Sequence, residues 1–315
     1  MVLLLGASGY VGQALAAALG QRRISFVPLA RKELDYTRFD QLLPYLQARP
    51  PRLLINAAGY TGKPNVDACE TAREATLLGN TLLPLTIGHA CQAAGVPWGH
   101  VSSGCIYSGA KILRQGQEQI QRDLSLPELR RLVDEHPEQV HGFTEEDAPN
   151  FTFDQQPSSF YSGSKALGER ALAGLDRTYI WRLRIPFDHH NNPRNYLVKI
   201  QRYAKVYDNV NSLSHLGDFA HACLNLWQKE APYGTYNLTN PGFVTTRQVV
   251  QRLVQVLQPA KSFEFWKNDQ EFYQHAAKTP RSNCVLDVSK AMAAGAELRP
   301  VEAALQEALE KWNPT

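Results

Sequence analysis

Gly6, Gly9 and Gly12, in the stretch GASGYVG (6–12), stand between an apolar run, VLLL (2–5), and an alanine- and leucine-rich stretch, YVGQALAAAL (10–19). A turn from a buried strand into a helix needs residues without a Cβ wherever the backbone must approach a phosphate closely. The helix that follows offers its first-turn N–H groups and the positive end of its dipole to an anion. A glycine triplet alone is weak evidence; its place at a strand-to-helix junction inside a βαβ rhythm gives it weight. The motif predicts a dinucleotide cradle formed by Gly6, Ser8, Gly9, Tyr10, Val11 and Gly12.

The rhythm continues. Strand-like runs recur at ISFVPL (24–29), RLLIN (52–56), GHVSS (99–103) and RTYIWRL (177–183), with helical stretches around 38–48, 66–94 and 159–174 between them. Strands alternating with helices predict an α/β fold: a doubly wound, Rossmann-type parallel sheet covered on both faces. Its ligand crevice lies at the C-terminal ends of the strands. We expect this domain over residues 1–185, interrupted at 111–141 by a charged insertion. From 186 to 315, polar loops separate helices at 216–229, 245–257 and 301–312, which reads as a smaller substrate-binding lobe interleaved with the first domain. The insertion, ILRQGQEQIQRDLSLPELRRLVDEH, reads most directly as a solvated helix; a lid or a subunit contact are the alternatives.

Composition removes several classes of function. A formal charge of +3 on 315 residues, with the basic residues scattered, does not point to nucleic acid. No apolar run approaches the roughly 18 residues that span a bilayer, and the N-terminus reads as a first strand rather than a signal peptide. Five cysteines without a CxxC pair read as reduced thiols of a cytoplasmic protein. No metal-ligand spacing occurs, and the adjacent His189 and His190 suit a polar loop better than a ligand pair. A second copy of the chain stands as the candidate protein partner.

The end of the second strand normally meets the adenine ribose, where an acid suits NAD and an arginine suits the 2′-phosphate of NADP. Here Arg31 and Lys32 follow that strand, which favours NADPH, although Asp35 is close enough to keep NAD open and a solvated basic turn is the plainer alternative. The third strand ends in NAAG, so Ala57, Ala58 and Gly59 let the backbone pass beside a nucleotide. FYSGSKALGE (160–169) then places Tyr161 and Lys165 four apart, on one helix face. A neighbouring ammonium, with the charge of an oxidised nicotinamide, favours phenolate and makes Tyr161 a usable proton donor.

GASGYVG, NAAG, SSGCIY and YSGSK, in this order, resemble the extended short-chain dehydrogenases/reductases. Within them the chain is similar to the dTDP-4-dehydrorhamnose reductases and most of all to the bifunctional nucleotide-rhamnose 3,5-epimerase/4-reductases. That closer likeness rests on AGYTGKPNVDACE, GFTEEDAPNF, NNPRNYLVKIQRY, YNLTNPGFV and PRSNCVLD, and spans nearly the whole chain outside the insertion. The resemblance implies a nucleotide-sugar substrate, a 4-keto-6-deoxyhexose reduced at C4 by NADPH. It implies that Ser103 bonds the carbonyl, Tyr161 donates the proton, and Lys165 binds ribose and tunes the tyrosine. Arg194 and Asn195 in PRNY, and Arg281 and Asn283 in PRSN, become candidate substrate contacts, with loop bracing as the alternative; Arg281 has the fork that suits a diphosphate.

Cys105 follows Ser103 by two, so an extended chain would put both side chains on one face. In the epimerase-reductases a cysteine at this position and a basic residue, here matched by Lys199, act as the acid–base pair that inverts carbons beside the ketone. Buried free cysteine is also a common space-filling residue, and Lys199 would suit a solvated helix. A plain 4-reductase or 4-epimerase for another nucleotide sugar would need neither residue, and a non-catalytic relative that binds nucleotide to regulate a partner would need none of the machinery.

Overall fold

Val2 and Leu4 pack into one hydrophobic core while Leu3 and Leu5 pack into another, so the first strand is buried on both faces. In the computed structural model, which describes residues 1–313, six such strands form one parallel sheet. They are β1 (Val2–Leu5), β2 (Phe26–Leu29), β3 (Leu53–Asn56), β4 (Trp98–Ser103), β5 (Thr178–Leu183) and β6 (Gly234–Asn237). Their order across the sheet is β6-β5-β4-β3-β1-β2. Tyr10–Gln21 (α1) and Leu216–Gln228 cover one face; Phe39–Ala48 (α2) and Leu83–Ala94 (α3) cover the other. From β2 the chain crosses over β1 to reach β3, and the crevice opens where the order reverses, between β1 and β3. The doubly wound sheet is therefore as expected.

The division at residue 185 is not a clean one. β6 and the Leu216–Gln228 helix belong to the sheet layers although they come from the second stretch. The rest of that stretch forms its own core, in which the helices Tyr196–Arg202, Thr246–Leu257 and Val301–Glu310 enclose Phe187, Leu213 and Val244. Pro314 and Thr315, the end of the expected lobe, lie outside the described residues. Among the described residues no helix is long and apolar enough to cross a membrane.

Two expectations fail for local reasons. The stretch 66–94 is not one helix. Asn65 caps a 3-10 turn over Val66–Glu70, accepting from the Asp67 N–H, and the helical ladder slips to a π turn over Leu78–Leu82. Pro84 has no N–H to give to the Asn80 carbonyl, so the regular bond cannot form there. The insertion is not a solvated helix either. Ala110–Arg114 and Gln117–Gln121 pair as an antiparallel hairpin, joined by Gln115 (φ 51°) and Gly116 (φ 78°), and Val140–His141 adds a third strand. Two successive positive φ values are what a two-residue hairpin turn requires. The Pro127–Glu135 helix behind it buries Leu129 and Val133 against Ile112, Val210 and Val285.

One buried ion pair ties the helix Phe160–Ala171 (α4) to the sheet. Glu169, two turns beyond Tyr161, accepts from Arg182 Nε and Nη2 at 3.0 and 2.7 Å and from the Ser102 hydroxyl. Arg182 continues to the Tyr107 hydroxyl at 3.1 Å, and both members of the pair are under a tenth exposed. Arg182→Met would leave Glu169 buried and unpaired. We expect it to lower unfolding free energy by about 3–5 kcal/mol in urea titration, whereas Arg38→Met at the exposed pair with Asp40 should leave stability nearly unchanged. Equal losses in the two variants would contradict this account.

Candidate functional site

The first wall of the crevice is the turn between β1 and α1. Gly6 has φ +75°, and a Cβ there would lie 2.5 Å from the Ala58 nitrogen at the end of β3. A Cβ on Gly12 would lie 2.1 Å from the Gly6 carbonyl oxygen. The loop can therefore close tightly only with glycine at both places. Gly9 caps α1 without a side-chain bond, so no side chain takes up the first-turn N–H groups. This cradle fits a dinucleotide pyrophosphate. Ser8 and Gly9 are exposed at its rim, while Val11 packs inward. The Tyr10 ring turns away to Asp188 of the C-terminal lobe, whose carboxylate joins burial in pushing the phenol up; Tyr10 can serve the cradle through its backbone.

Arg31 and Lys32 are exposed just past β2. The two nearby acids are engaged locally: Glu33 accepts from the Ala30 N–H at 2.9 Å, and Asp35 accepts from the Thr37 hydroxyl at 2.6 Å. Those Thr37 bonds hold the Asp35 carboxyl below the usual carboxylate range. The cationic side chains are thus the outward-facing groups where a ribose phosphate would lie. At the end of β3, Ala57 donates to the Leu5 carbonyl and Ala58 to the Asn56 side chain, so the NAAG backbone is bonded to the first strand.

The structure brings Ser103, Tyr161 and Lys165 together above this floor. Ser103 is the last residue of β4 and is buried. Its hydroxyl interacts with the Tyr161 phenol. Ser159 caps α4, which carries Tyr161 and Lys165 one turn apart. The Lys165 ammonium reaches Gly59: a Cβ on that glycine would be 3.5 Å from Nζ. Burial pulls the ammonium down, opposed by Cys105 and Glu169. Burial pushes the Tyr161 phenol up, and Cys105 adds to it; Ser103 and the Arg184 guanidinium act in the other direction. The cation that acts on the phenol is Arg184, which the motifs do not contain, in place of the expected Lys165.

Asn80 is a second such residue. It is fully buried in the π turn, accepts from the Tyr60 N–H at 2.9 Å, and donates to the Tyr60 carbonyl at 2.8 Å and the Ser164 hydroxyl at 3.1 Å. One amide therefore joins the NAAG loop to α4 and sets the two against each other. The signal available in the sequence was a Gly-Asn pair shortly before proline inside an otherwise helical stretch.

Cys105 reaches the site by a different route from the one expected. The strand ends at Ser103 and the chain coils into a 3-10 turn over Gly104–Ile106, so strand alternation does not apply. Ser103 caps that turn by accepting from the Cys105 N–H at 3.3 Å, and this keeps the thiol beside the hydroxyl. Burial pushes the thiol up, while Ser103, Arg184, Ser162 and Lys165 act against it. Lys199, half-buried on the Tyr196–Arg202 helix, is lowered by burial and by Arg194. No hydrogen bond joins Cys105 to Lys199 among the described residues.

Each of the four lobe candidates has a protein partner in the structure. Asn195 is wholly buried and caps its helix, accepting from Leu197 N and donating to Asp188 and the His190 carbonyl, so it has nothing to offer a ligand. Arg281 makes a bidentate pair with Asp67 at 2.6 and 2.8 Å, which holds that carboxyl below its usual range despite burial; its fork is taken. Arg194 donates to the Gly62 carbonyl at 2.9 Å and Asn283 accepts from Asn211 at 3.1 Å, both as loop braces with part of the side chain accessible. Glu70, which accepts from the Phe160 N–H and the Thr279 hydroxyl, completes a strap between the Val66–Glu70 turn and the 279–281 loop.

The model of the RmlD substrate binding domain matches residues 1–313. A trifunctional UDP-glucose 4,6-dehydratase/UDP-4-keto-6-deoxy-D-glucose 3,5-epimerase/UDP-4-keto-L-rhamnose-reductase from Arabidopsis thaliana is 30% identical over 91% of the chain; the chain spans 38% of that relative's length. A bifunctional dTDP-4-dehydrorhamnose 3,5-epimerase/dTDP-4-dehydrorhamnose reductase from the same plant is 29% identical, covering 96% of the chain and 90% of the relative. Among solved structures, a UDP-rhamnose synthase from Acanthamoeba polyphaga mimivirus superposes with TM-score 0.80 at 22% identity, covering 98% of both chains. A dTDP-4-dehydrorhamnose reductase from Bacillus anthracis, in complex with NADP, superposes with TM-score 0.75 at 20% identity, covering 99% of this chain and 97% of that one. At these identities the two structures speak for the fold.

Gly12→Ala should weaken dinucleotide binding at least about tenfold, the equivalent of about 1.4 kcal/mol, because its Cβ would open the turn at Gly6. Titration of protein fluorescence with NADPH measures this. Unchanged affinity would place the cofactor elsewhere.

Proposed function

The chain belongs to the RmlD substrate-binding-domain family, and on that premise we propose that it is a nucleotide-rhamnose enzyme. In this reading it reduces the C4 ketone of a UDP- or dTDP-linked 4-keto-6-deoxyhexose with NADPH, after epimerising C3 and C5. The observation that carries it is the meeting of the Ser103 hydroxyl, the Tyr161 phenol and the Lys165 ammonium over Gly59, beside the glycine cradle. The two plant relatives, named for 3,5-epimerase and 4-reductase activities, support the choice of sugar. Arg31 and Lys32 support NADPH over NADH. The five unpaired cysteines suit a reducing compartment, the cytoplasm.

When bound, the dinucleotide supplies a hydride. Ser103 holds the ketone oxygen and polarises it. Tyr161 gives its proton to that oxygen as negative charge gathers there, and the buried ammonium of Lys165 balances the charge left behind. Cys105, next to Ser103, lies where carbons beside the ketone would come, and its thiolate would take a proton from C3 or C5. The electron pair of the broken C–H bond then moves onto the C4 oxygen, held by the same two hydroxyls. Lys199 supports the opposite-face proton transfer less directly, since its charged neighbour is Arg194. A second reading, a 4-reductase with Cys105 as packing, draws support from the apolar cluster of Ile106, Tyr107, Phe143, Cys284 and Leu286 around that thiol.

Two variants separate the readings. Tyr161→Phe should lower NADPH oxidation by about 10²–10⁴-fold with any accepted sugar. Cys105→Ser should retain reduction of a ketone supplied already epimerised, yet lose deuterium uptake from heavy water at C3 and C5. Label appearing at the normal rate in Cys105→Ser, or none appearing with the unaltered protein, would remove the epimerase half.

A further inference from the structure

Two arginines lie two residues apart at the C-terminal end of β5, and the structure treats them oppositely. Arg182 is paired with Glu169. Arg184 is 5% exposed, yet no carboxylate lies within ion-pair distance of it among the described residues. Its Nη2 donates to the Asn211 side chain at 2.7 Å and to the Ser282 carbonyl, and its Nε is buried without a partner. A buried cation satisfied only by neutral oxygens is costly. Such a group is kept where an anion appears.

The surroundings say which anion. The 282–284 segment that receives Arg184 also lies against the Gly104–Ile106 turn: Ser282 donates to the Tyr107 carbonyl, and the Cys284 thiol donates to the Gly104 carbonyl at 3.3 Å. Asn211, which accepts from Arg184, also accepts from the Cys284 N–H at 3.1 Å. The guanidinium is thereby fixed behind the turn that carries Cys105. The groups facing that thiol are Ser103, Ser162, Tyr161, Lys165, Cys69, Cys284 and Arg184. Of the two cations, Lys165 lies against Gly59, while Arg184 acts on the thiol and on the neighbouring Tyr161 phenol.

We propose that Arg184 is a positioning residue for the epimerisation step, a preplaced counter-charge whose partner is the Cys105 thiolate. The inference rests on the reading of Cys105 as a base. The thiol loses its proton to solvent, and the thiolate stays beside the guanidinium until it takes a proton from the substrate carbon. The charge then passes to the enolate oxygen at C4, where Ser103 and Tyr161 receive it. Arg184 touches neither substrate nor cofactor in this scheme.

The test reads the thiol itself. Ultraviolet absorbance of thiolate, taken as the difference between the protein and its Cys105→Ser form across pH, gives the midpoint of Cys105 ionisation without turnover. Arg184→Met and Arg184→Gln should each raise that midpoint by about one pH unit, whereas Arg184→Lys should recover most of the shift. Because the charge has no native carboxylate, the two neutral variants should keep the melting temperature of the parent. An unchanged midpoint in either folded neutral variant would overturn the proposal, as would a lysine variant shifted as far as the neutral ones. Loss of folding in both neutral variants would overturn it too, because Arg184 would then be a structural pin. Absence of deuterium uptake in the unaltered protein, with the midpoint shift intact, would instead sink only the epimerase reading.

Discussion

Glu169 is the point on which the site depends. It stands on the same helix face as Tyr161 and Lys165, and its carboxylate joins β4 through Ser102 and β5 through Arg182. Two charges withdrawn from water with their hydrogen bonds filled leave few other positions for the helix. At the other end of α4, Glu70 receives the Phe160 N–H and Asn80 holds Ser164. The helix is therefore fastened at both ends and in the middle, by contacts that run to three different parts of the chain. A phenol that must meet a ketone oxygen to within a few tenths of an ångström needs a support of this stiffness.

The same burial that gives precision works against acid–base chemistry. Removing Tyr161 and Cys105 from water disfavours their ionised forms, and the hydroxyls of Ser103 and Ser162 only partly offset this. The balance between desolvation and local positive charge decides whether the thiol acts or merely fills space. An apolar cluster on one side and a guanidinium on the other define the contest, and the outcome is a property of the few side chains facing that turn.

Five of the six sheet strands were legible as short β-prone runs alternating with helical stretches, the first three of them mainly apolar. The sixth, Gly234–Asn237, passed unnoticed: four residues with a glycine and an asparagine at its ends carry no such signal. The insertion misled because leucine, arginine and glutamate dominate its second half, while the alternation of its hairpin is mostly polar. Within the site, the glycine cradle, NAAG, Ser103, Tyr161 and Lys165 follow from motifs whose spacing is local. Asn195 and Arg281 did not: Asn195 turns back to Asp188 within its own loop to cap its helix, and the pairing of Arg281 with Asp67 is set by how distant segments meet. Arg184 was invisible for the same reason: an unpaired buried charge can be recognised only when everything around it is in place.

The late arrival of the sixth strand has a consequence for biosynthesis. β5 emerges from the ribosome with Tyr179, Ile180 and Trp181 ready to pair, but its outer neighbour lies beyond the first part of the C-terminal lobe. Until Gly234–Asn237 is made, that edge is an open ladder of backbone donors and acceptors flanked by aromatic rings. The nascent chain must shield it for the time needed to translate the intervening segment, and a chain released before that strand would present a sticky border instead of a finished one.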